Sequence, residues 1–289
     1  MVAPIVAARA HRSNPGFSVR SIDMQQLGDT GSPVVVLDEF RVRGRPFPPH
    51  PHAGFSAVTY VFEDSESGLR SRSSVGDDVV VGPGGIVWTE AASGVIHEEL
   101  PADTGRELHG LQVFVNLRSE NKRAAPRVLQ LENGDVPEWR SDAGDRVRVA
   151  VGSFDNVESP LVPAEPFDLL DVDLRSHIRF PLREGRNALV YVLDGRLRVH
   201  ADGWEQTVTG GHAVGLHGAG GGATFDVARP THIVVLSGAP VHEPVLVDGP
   251  FIMNHRAQIE DAIARYRAGR MGRLAPLADA SQQKAEGTP

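Results

Sequence analysis

Helical periodicity is almost absent from this sequence until its final stretch, and this feature constrains the fold more than any other. The chain instead carries short runs of β-branched and aromatic residues, such as SAVTYVFE, LQVFVNL and NALVYVLDG, which glycine, proline, aspartate and asparagine interrupt. Within Leu111–Asn116 the apolar residues roughly follow the period of two expected of a strand with one buried face. Many short strands separated by turn residues are typical of a β-sandwich or a β-barrel, so we predict an all-β fold.

A faint internal repeat relates the two halves of the chain. Ser56–Ser73 and Asn187–Gly203 each contain an apolar strand with a central tyrosine, an acidic turn and a second strand, and Tyr60 aligns with Tyr191. A stretch rich in proline and charge, residues 121–144, lies between the copies and is typical of a linker or a crossing segment. Two similar β domains follow from this repeat.

The last part of the chain differs from the rest. Between residues 254 and 270, Ile259, Ala262, Ile263 and Tyr266 recur at helical spacing, which predicts one amphipathic helix packed on a sheet. The final ADASQQKAEGTP has little apolar surface to bury. The predicted boundaries are therefore residues 1–130 for the first domain, residues 145–271 for the second domain with the helix, and residues 272–289 for a disordered tail.

The composition excludes several classes of function. The 289 residues include no cysteine, so disulfides and thiolate sites are excluded and any metal must bind nitrogen or oxygen ligands. The net charge is −8 and the 29 basic residues are scattered, which argues against direct binding of nucleic acid. No apolar run is long enough for a membrane helix and no signal peptide is evident, so we expect a cytoplasmic monomer.

Two short motifs contain candidate metal ligands. The run PFPPHPHAGF places His50 and His52 two residues apart, and GVIHEEL contains His97, Glu98 and Glu99. On a strand, residues i and i+2 point to the same face, so His50 would project together with His52. By the same rule His97 would project with Glu99, while Glu98 would face the other way. Two adjacent strands of a barrel would then offer three imidazoles and one carboxylate.

Such a set would leave open coordination positions on a metal ion. Imidazole and carboxylate ligands suit Fe(II), Mn, Ni, Cu or Zn, and iron is the usual metal for oxygen chemistry at open positions. The prolines and glycines around both motifs fit tight turns that close a small barrel. The residues alone leave open a second interpretation, in which these are solvated histidines in loops.

Four successive stretches of the chain carry a more specific signal. They are LDEFRVRGRPFPPHPHAGFSAVTYVFE, GPGGIVWTEAASGVIHEELP, ELHGLQVFVNLRSENK and EPVLVDGPFIMN, which run from about Leu37 to Asn254. Their order and spacing resemble the pirin family of the cupin superfamily. The resemblance implies a bicupin, in which two cupin-type β-barrels (double-stranded β-helices) pack face to face with a C-terminal α-helix. It also implies a second barrel without metal and one iron in the first barrel, held by His50, His52, His97 and Glu99.

The chain departs from the family just after the histidine pair. The family usually has Arg-Gly-Phe-Glu where this chain has Ala53, Gly54, Phe55 and Ser56. A guanidinium and a carboxylate that are often present near the metal entrance are therefore missing, which bears on substrate preference. In the second barrel, counting back from Tyr191 by the matching distance gives Pro181 and Arg183, and neither is a useful ligand.

Several pirin-like proteins act as quercetin 2,3-dioxygenases, so the resemblance implies oxygenolytic cleavage of a flavonol-like enol as the leading hypothesis. A small aromatic substrate and dioxygen would be the ligands, with Glu99 as the catalytic proton acceptor. Phe55, Trp88 and Phe114 could line a pocket for a flat substrate, although such residues more often belong to the core. Pirin relatives are also described as redox-sensitive regulators that bind a transcription factor or a metabolic enzyme. A different cupin enzyme, such as an isomerase, is a third hypothesis.

Overall fold

The computed structural model describes residues 3–14, 16–201, 203–275 and 277. In chain order the strands of its first half are β1 (Val6–Ala7), β2 (Arg9–Asn14), β3 (Phe17–Ser21), β4 (Val34–Val42), β5 (His50–His52), β6 (Phe55–Val61), β7 (Leu69–Ser73), β8 (Asp78–Val81), β9 (Ile86–Glu90), β10 (Val95–Pro101), β11 (Leu108–Asn116) and β12 (Arg127–Leu131). Those of the second half are β13 (Glu138–Arg140), β14 (Arg146–Val151), β15 (Ser153–Phe154), β16 (Val157–Glu158), β17 (Phe167–Leu174), β18 (His177–Pro181), β19 (Asn187–Asp194), β20 (Arg196–Ala201), β21 (Trp204–Thr209), β22 (His212–His217), β23 (Gly222–Asp226), β24 (Thr231–Gly238), β25 (Leu246–Asp248) and β26 (Phe251–Met253). The α-helices are α1 (Met24–Leu27) and α2 (Arg256–Arg267).

The strands build two barrels with the same internal order. The first barrel joins a seven-stranded sheet, β12-β9-β6-β11-β4-β3-β2, to a four-stranded sheet, β5-β10-β7-β8. The second barrel repeats this arrangement with β1-β22-β19-β24-β17-β14-β13 and β18-β23-β20-β21. Neighbouring strands in these sheets are antiparallel, as hairpin-rich barrels require. The all-β fold and the two-barrel architecture expected from the sequence are confirmed.

The two seven-stranded sheets pack face to face, and an extended apolar core lies between them. Trp88 on β9 meets Phe167 on β17 with ring centroids 5.6 Å apart. The same core joins Leu111 of the first barrel to Leu236 of the second. Because each sheet has one apolar face that must be covered, the barrels bury these faces against each other.

The repeated tyrosines link the two barrels reciprocally. The Tyr60 hydroxyl on β6 donates to Oδ2 of Asp171 on β17 at 2.7 Å. The Tyr191 hydroxyl on β19 donates to Oε2 of Glu39 on β4 at 2.6 Å. Both rings are buried, so each hydrogen bond ties a tyrosine of one barrel to a carboxylate of the other. The internal repeat therefore corresponds to a pseudo-twofold arrangement across the interface.

Within the described residues, a segment near each end of the chain packs on the opposite barrel. β1 pairs with β22 at the edge of the second barrel, and the β25–β26 hairpin packs with α2 on the first barrel around Ala53. The segment 121–144 is a crossing segment that contains β12 on the first barrel and β13 on the second. We propose that residues 1–130 and 145–271 form the two domains, and that a short segment of each domain packs on the barrel of the other.

The C-terminal helix predicted from the sequence is present as α2. Ile259 and Ala262 are buried as expected, whereas Tyr266, which the spacing put with them on the apolar face, is 39% exposed. Of the tail predicted to be disordered, residues 276 and 278–289 lie outside the described residues. In the described part of the chain, no helix is both long and apolar enough to cross a membrane.

Candidate metal centre

β5 and β10 lie side by side in the four-stranded sheet and bring the two motifs together. The strands are antiparallel, with His97 opposite His50 and Val95 opposite His52. Since side chains alternate along a strand, the three histidines project from one face of the sheet into the barrel. The structure thus joins two motifs that are separated by more than forty residues in the sequence.

The three imidazoles form a compact cluster. Each offers a ring nitrogen, and the three nitrogens lie within 4.8 Å of one another. The Nε2 atoms of His50 and His97 face each other at 3.2 Å. The ring of His52 lies edge-on to both, with centroids 4.8 Å from His50 and 4.6 Å from His97. Nitrogen atoms at this spacing could share one divalent cation.

Burial keeps this histidine cluster neutral. Desolvation, helped by the neighbouring His50, lowers the pKa of His52 to about 3. Burial lowers the pKa of His97 well below its ordinary value, and it also lowers the pKa of His50. Nδ1 of His50 lies 3.0 Å from the Pro48 carbonyl oxygen, which can only accept, so Nδ1 is protonated and Nε2 presents its lone pair. Neutral imidazole is the form that binds metals.

Glu99 lies beside the cluster on the same face of β10. Its Oε1 is 4.0 Å from Nδ1 of His97. The Thr59 hydroxyl donates to Oε2 at 2.6 Å, and the Ser71 hydroxyl makes a longer contact with Oε1 at 3.4 Å. Burial raises the pKa of Glu99 to about 7, although both hydroxyls favour the charged form. The four site residues predicted from the sequence therefore lie together, with the three histidines as the tighter group.

Glu98 faces the other side of the sheet. Its Oε2 accepts from Nη1 of Arg72 at 2.8 Å, and the carboxylate is buried. Arg72 also donates to the carbonyl oxygen of Ala275, near the C-terminus. Glu98 is thus engaged in an ion pair that points away from the histidines, which makes it a matched control for the site.

The cluster fits a divalent cation. Nδ1 of His97 is buried and has no hydrogen-bond partner in the described part of the chain. The Nε2 atoms of His50 and His97 lie 3.2 Å apart, close enough for both to bind one shared cation. Three neutral nitrogens with the Glu99 carboxylate beside them, 13% exposed, and no sulfur form a donor set that suits Fe, Mn, Ni, Cu or Zn.

A cavity of about 430 Å³ opens from the histidine cluster, a size typical of sites for small organic ligands. Its walls come from β3, β4, β7, β11 and the loop before β5. Phe47 is about half exposed at the mouth and packs edge-on against Phe17 with centroids 5.4 Å apart. Other apolar lining residues are Phe40, Leu69 and Leu108.

The aromatic residues predicted to line a pocket belong to the core instead. Phe55 and Phe114 pack on His52 with centroids 5.0 and 5.3 Å away, but neither reaches the cavity. Trp88 lies between the barrels, as described above. Sequence reasoning missed the residues that do form the aromatic wall, which are Phe17, Phe40 and Phe47.

The positions that depart from the family lie beneath the C-terminal hairpin. Ala53 and Ser56 are fully buried, and neither lines the cavity. Gly54 between them has a φ of +88°, and a Cβ there would lie 1.9 Å from the carbonyl oxygen of Ile252 on β26. Glycine is required at this position, because it lets the hairpin close onto the strand that carries His52.

Lys122 joins Gly54 to the C-terminal hairpin. The sequence analysis had placed this residue in a charged linker. Its ammonium group is buried and donates to the carbonyl oxygens of Gly54 and Ile252 at 2.6 and 3.0 Å, and to Oδ1 of Asn116 at 2.5 Å. Burial lowers the pKa of Lys122 to about 8. One cation thus joins the end of the histidine strand to the C-terminal hairpin.

The second barrel has apolar residues at the corresponding place. β18 and β23 occupy the positions of β5 and β10, and their inward-facing side chains are Ile178, Phe180, Ala223 and Phe225. None of these side chains has a donor atom for a metal. The sequence count led instead to Pro181, the last residue of β18, and to Arg183 in the loop after it, because five residues join β18 to β19 whereas two join β5 to β6.

Comparison with known proteins agrees with this architecture. Models of the families "Pirin" and "Pirin C-terminal cupin domain" match residues 10–115 and 169–272. A Pseudomonas aeruginosa protein provisionally named quercetin 2,3-dioxygenase is 32% identical over 250 residues, which are 82% of this chain and 86% of that protein. The human protein named pirin is 30% identical over 273 residues, 92% of this chain and 89% of its own. A crystal structure of quercetin 2,3-dioxygenase from Acinetobacter baumannii superposes with a TM-score of 0.82 at 26% identity, covering 94% of this chain and 98% of that one.

Proposed function

This chain belongs to the pirin family, and we propose that it is a metal-dependent dioxygenase that cleaves a flavonol-like enol. The observation that carries the proposal is the cluster of neutral histidines beside the Glu99 carboxylate at the inner end of a largely apolar cavity. The relatives from Pseudomonas aeruginosa and Acinetobacter baumannii, both named for quercetin 2,3-dioxygenase activity, support the reaction class.

Iron(II) is the proposed metal, with His50, His52, His97 and Glu99 as its ligands. A bound divalent metal would supply Lewis acidity toward the enol and keto oxygens of the substrate and redox chemistry toward dioxygen. Manganese, nickel, copper and zinc suit the same donors. The choice of iron rests on the oxygen chemistry of the proposed reaction.

The side chains of the cavity would bind and orient the substrate. Phe17, Phe40 and Leu108 offer apolar surfaces for a flat ring and would keep water from its reacting end. Glu99, whose Oε2 accepts a hydrogen bond from Thr59, would accept the enol proton. The proposal therefore needs a substrate whose enol end enters first and whose remaining rings extend toward Phe47.

The test is oxygen uptake by anaerobically iron-loaded protein after addition of quercetin. We expect uptake by the native protein and by Glu98→Gln, which keeps the contact with Arg72 on the other face of the sheet. We expect no uptake by His52→Ala. Equal loss in both variants would reject the assignment of the ligands.

A native protein that demonstrably holds iron but takes up no oxygen with quercetin would reject the proposed activity. The regulatory hypothesis would then replace it. Capture of a protein partner that depends on the oxidation state of the bound iron would be the measurement to make next.

A further inference from the structure

Thr59 lies inside the first barrel, beside the proposed ligand Glu99. It is fully buried on β6, with Gln112 of β11 opposite it on one side and Val87 of β9 opposite it on the other. Its strand is therefore paired along both edges, which fixes the backbone. Because threonine is β-branched, its χ1 angle has few allowed values, so the backbone also fixes where the hydroxyl points.

The Thr59 hydroxyl joins the two sheets of this barrel. It donates to Oε2 of Glu99 at 2.6 Å, and Glu99 belongs to the four-stranded sheet whereas Thr59 belongs to the seven-stranded one. This length is typical of a hydroxyl that donates to a charged carboxylate. The other carboxylate oxygen, Oε1, lies 4.0 Å from Nδ1 of His97. The opposite sheet thus holds one oxygen of Glu99, while the other oxygen lies toward the histidines.

The single proton of the Thr59 hydroxyl has two acceptors within reach. Oε1 of Gln112 is 3.3 Å away, longer than an ordinary hydroxyl hydrogen bond, whereas Oε2 of Glu99 is 2.6 Å away. The amide of Gln112 is held in this orientation, because its Nε2 donates to the carbonyl oxygen of Val58, which can only accept. The Thr59 hydroxyl therefore donates to Glu99.

A second hydroxyl near Glu99 contributes less. Ser71 is the cross-strand neighbour of Glu99 on β7, and its Oγ lies 3.4 Å from Oε1. This distance also exceeds that of an ordinary hydroxyl hydrogen bond. The direction of the Glu99 carboxylate is therefore set mainly by Thr59.

We propose that Thr59 is a positioning residue, which holds one oxygen of Glu99 so that the other is presented to a metal ion bound by the histidines. A carboxylate that is already held loses less freedom when it binds, so the metal is bound more tightly. Side chains that orient metal ligands typically change metal affinity by about 10–100-fold. The inference rests on the proposed assignment of Glu99 as a ligand, but it does not depend on the reaction with dioxygen.

The test is a calorimetric titration of the metal-free protein with nickel(II). Nickel suits the same donors and binds nitrogen ligands more tightly than iron(II), so binding stays measurable when the carboxylate is altered. Thr59→Val keeps the shape of the side chain but removes the hydroxyl, and we expect its Kd for nickel to rise by about 10–100-fold. Thr59→Ser keeps the hydroxyl, so its Kd should stay within about threefold of the native value, well below that loss.

Thr89→Val is the matched control. Thr89 lies on β9 as the cross-strand neighbour of Ala57, which shares a face of β6 with Thr59. It is buried, and its hydroxyl has no hydrogen-bond partner among the described residues. The same chemical change at this position should leave the Kd for nickel at its native value.

A second background separates positioning from a general loosening of the barrel. Glu99→Ala removes the proposed ligand itself, so it should weaken nickel binding by at least as much as Thr59→Val does. In that background Thr59→Val should have no further effect, because the hydroxyl has no carboxylate left to hold. An equal loss in both backgrounds, or a loss in Thr59→Ser as large as that in Thr59→Val, would overturn the inference.

The remaining outcomes separate this inference from the proposed function. Native affinity in Thr59→Val together with weakened binding in Glu99→Ala would overturn the positioning role and keep Glu99 as a ligand. Native affinity in Glu99→Ala would reject Glu99 as a ligand and the inference with it. If nickel binding follows the expected pattern but the iron-loaded protein takes up no oxygen with quercetin, the dioxygenase is rejected and the positioning role is supported.

Discussion

Removal of the Tyr60 hydroxyl tests the contact that joins the two barrels. In Tyr60→Phe the ring still fills its place in the core, so no cavity forms and only the hydrogen bond to Asp171 is lost. A hydrogen bond to a charged group contributes about 1.5–3 kcal/mol, and Asp171 would keep its contact with His232. We therefore expect the free energy of unfolding to fall by about 2 kcal/mol.

The reciprocal variant Tyr191→Phe should cost less. It removes the tyrosine hydroxyl that donates to Glu39, but Glu39 keeps its contacts with Arg20 and His109. In Tyr60→Phe, by contrast, Asp171 keeps the contact with His232. We expect about 1.5 kcal/mol for Tyr191→Phe. Urea unfolding followed by circular dichroism gives both values.

Tyr266→Phe is the matched control for these two variants, because this tyrosine lies on α2 and is 39% exposed. Its stability should stay within about 0.5 kcal/mol of the native value. If Tyr60→Phe also unfolds within that margin, the tyrosine–carboxylate contacts do not stabilise the interface between the barrels.

Two further predictions concern the backbone near the site and the dependence of stability on pH. Gly54→Ala should destabilise the protein by about 3 kcal/mol or more, because its Cβ would meet the Ile252 carbonyl. Gly44 has a similar φ but open space around it, so the control Gly44→Ala should cost about 1 kcal/mol. Equal urea midpoints for the two variants would contradict this. Burial disfavours the charged form of His232, but the Asp171 carboxylate outweighs it and raises the pKa of His232 from 6.5 to about 9. The stabilisation from this pair should be complete below about pH 6.5 and lost as the pH rises through about 9. The urea midpoint of the native protein should therefore fall across that window more steeply than that of His232→Gln, and parallel curves would exclude the pair as the cause.

The strand pattern and the strand face on which each candidate ligand lies were predictable from the sequence, because both depend on local geometry. Alternation along a strand is enough to put His50 with His52 and to separate Glu98 from Glu99. The same alternation along β4 would have placed Asp38 on the face of Phe40, which was a usable signal for the cavity wall.

Other features depend on contacts that no local pattern contains. Phe17 and Phe47 reach the cavity from a neighbouring strand and a loop, so only the closed barrel brings them to the histidines. Lys122 lies in a stretch that looks solvated, yet three oxygens from distant segments surround its ammonium group. The count to the corresponding positions of the second barrel missed the inward-facing residues of β18, and the loop from β18 to β19 is three residues longer than the loop from β5 to β6.

The most direct test of the account is the iron content of the native protein, His52→Ala and Glu98→Gln after anaerobic loading and removal of free metal. We expect one iron per chain in the native protein and in Glu98→Gln, and less than about one tenth of that in His52→Ala. Loss of a ligand should weaken binding by more than the about 10–100-fold typical of changes in the residues around the ligands. Equal iron in all three proteins, or equal loss in both variants, would contradict the assignment of the histidine cluster as the metal centre.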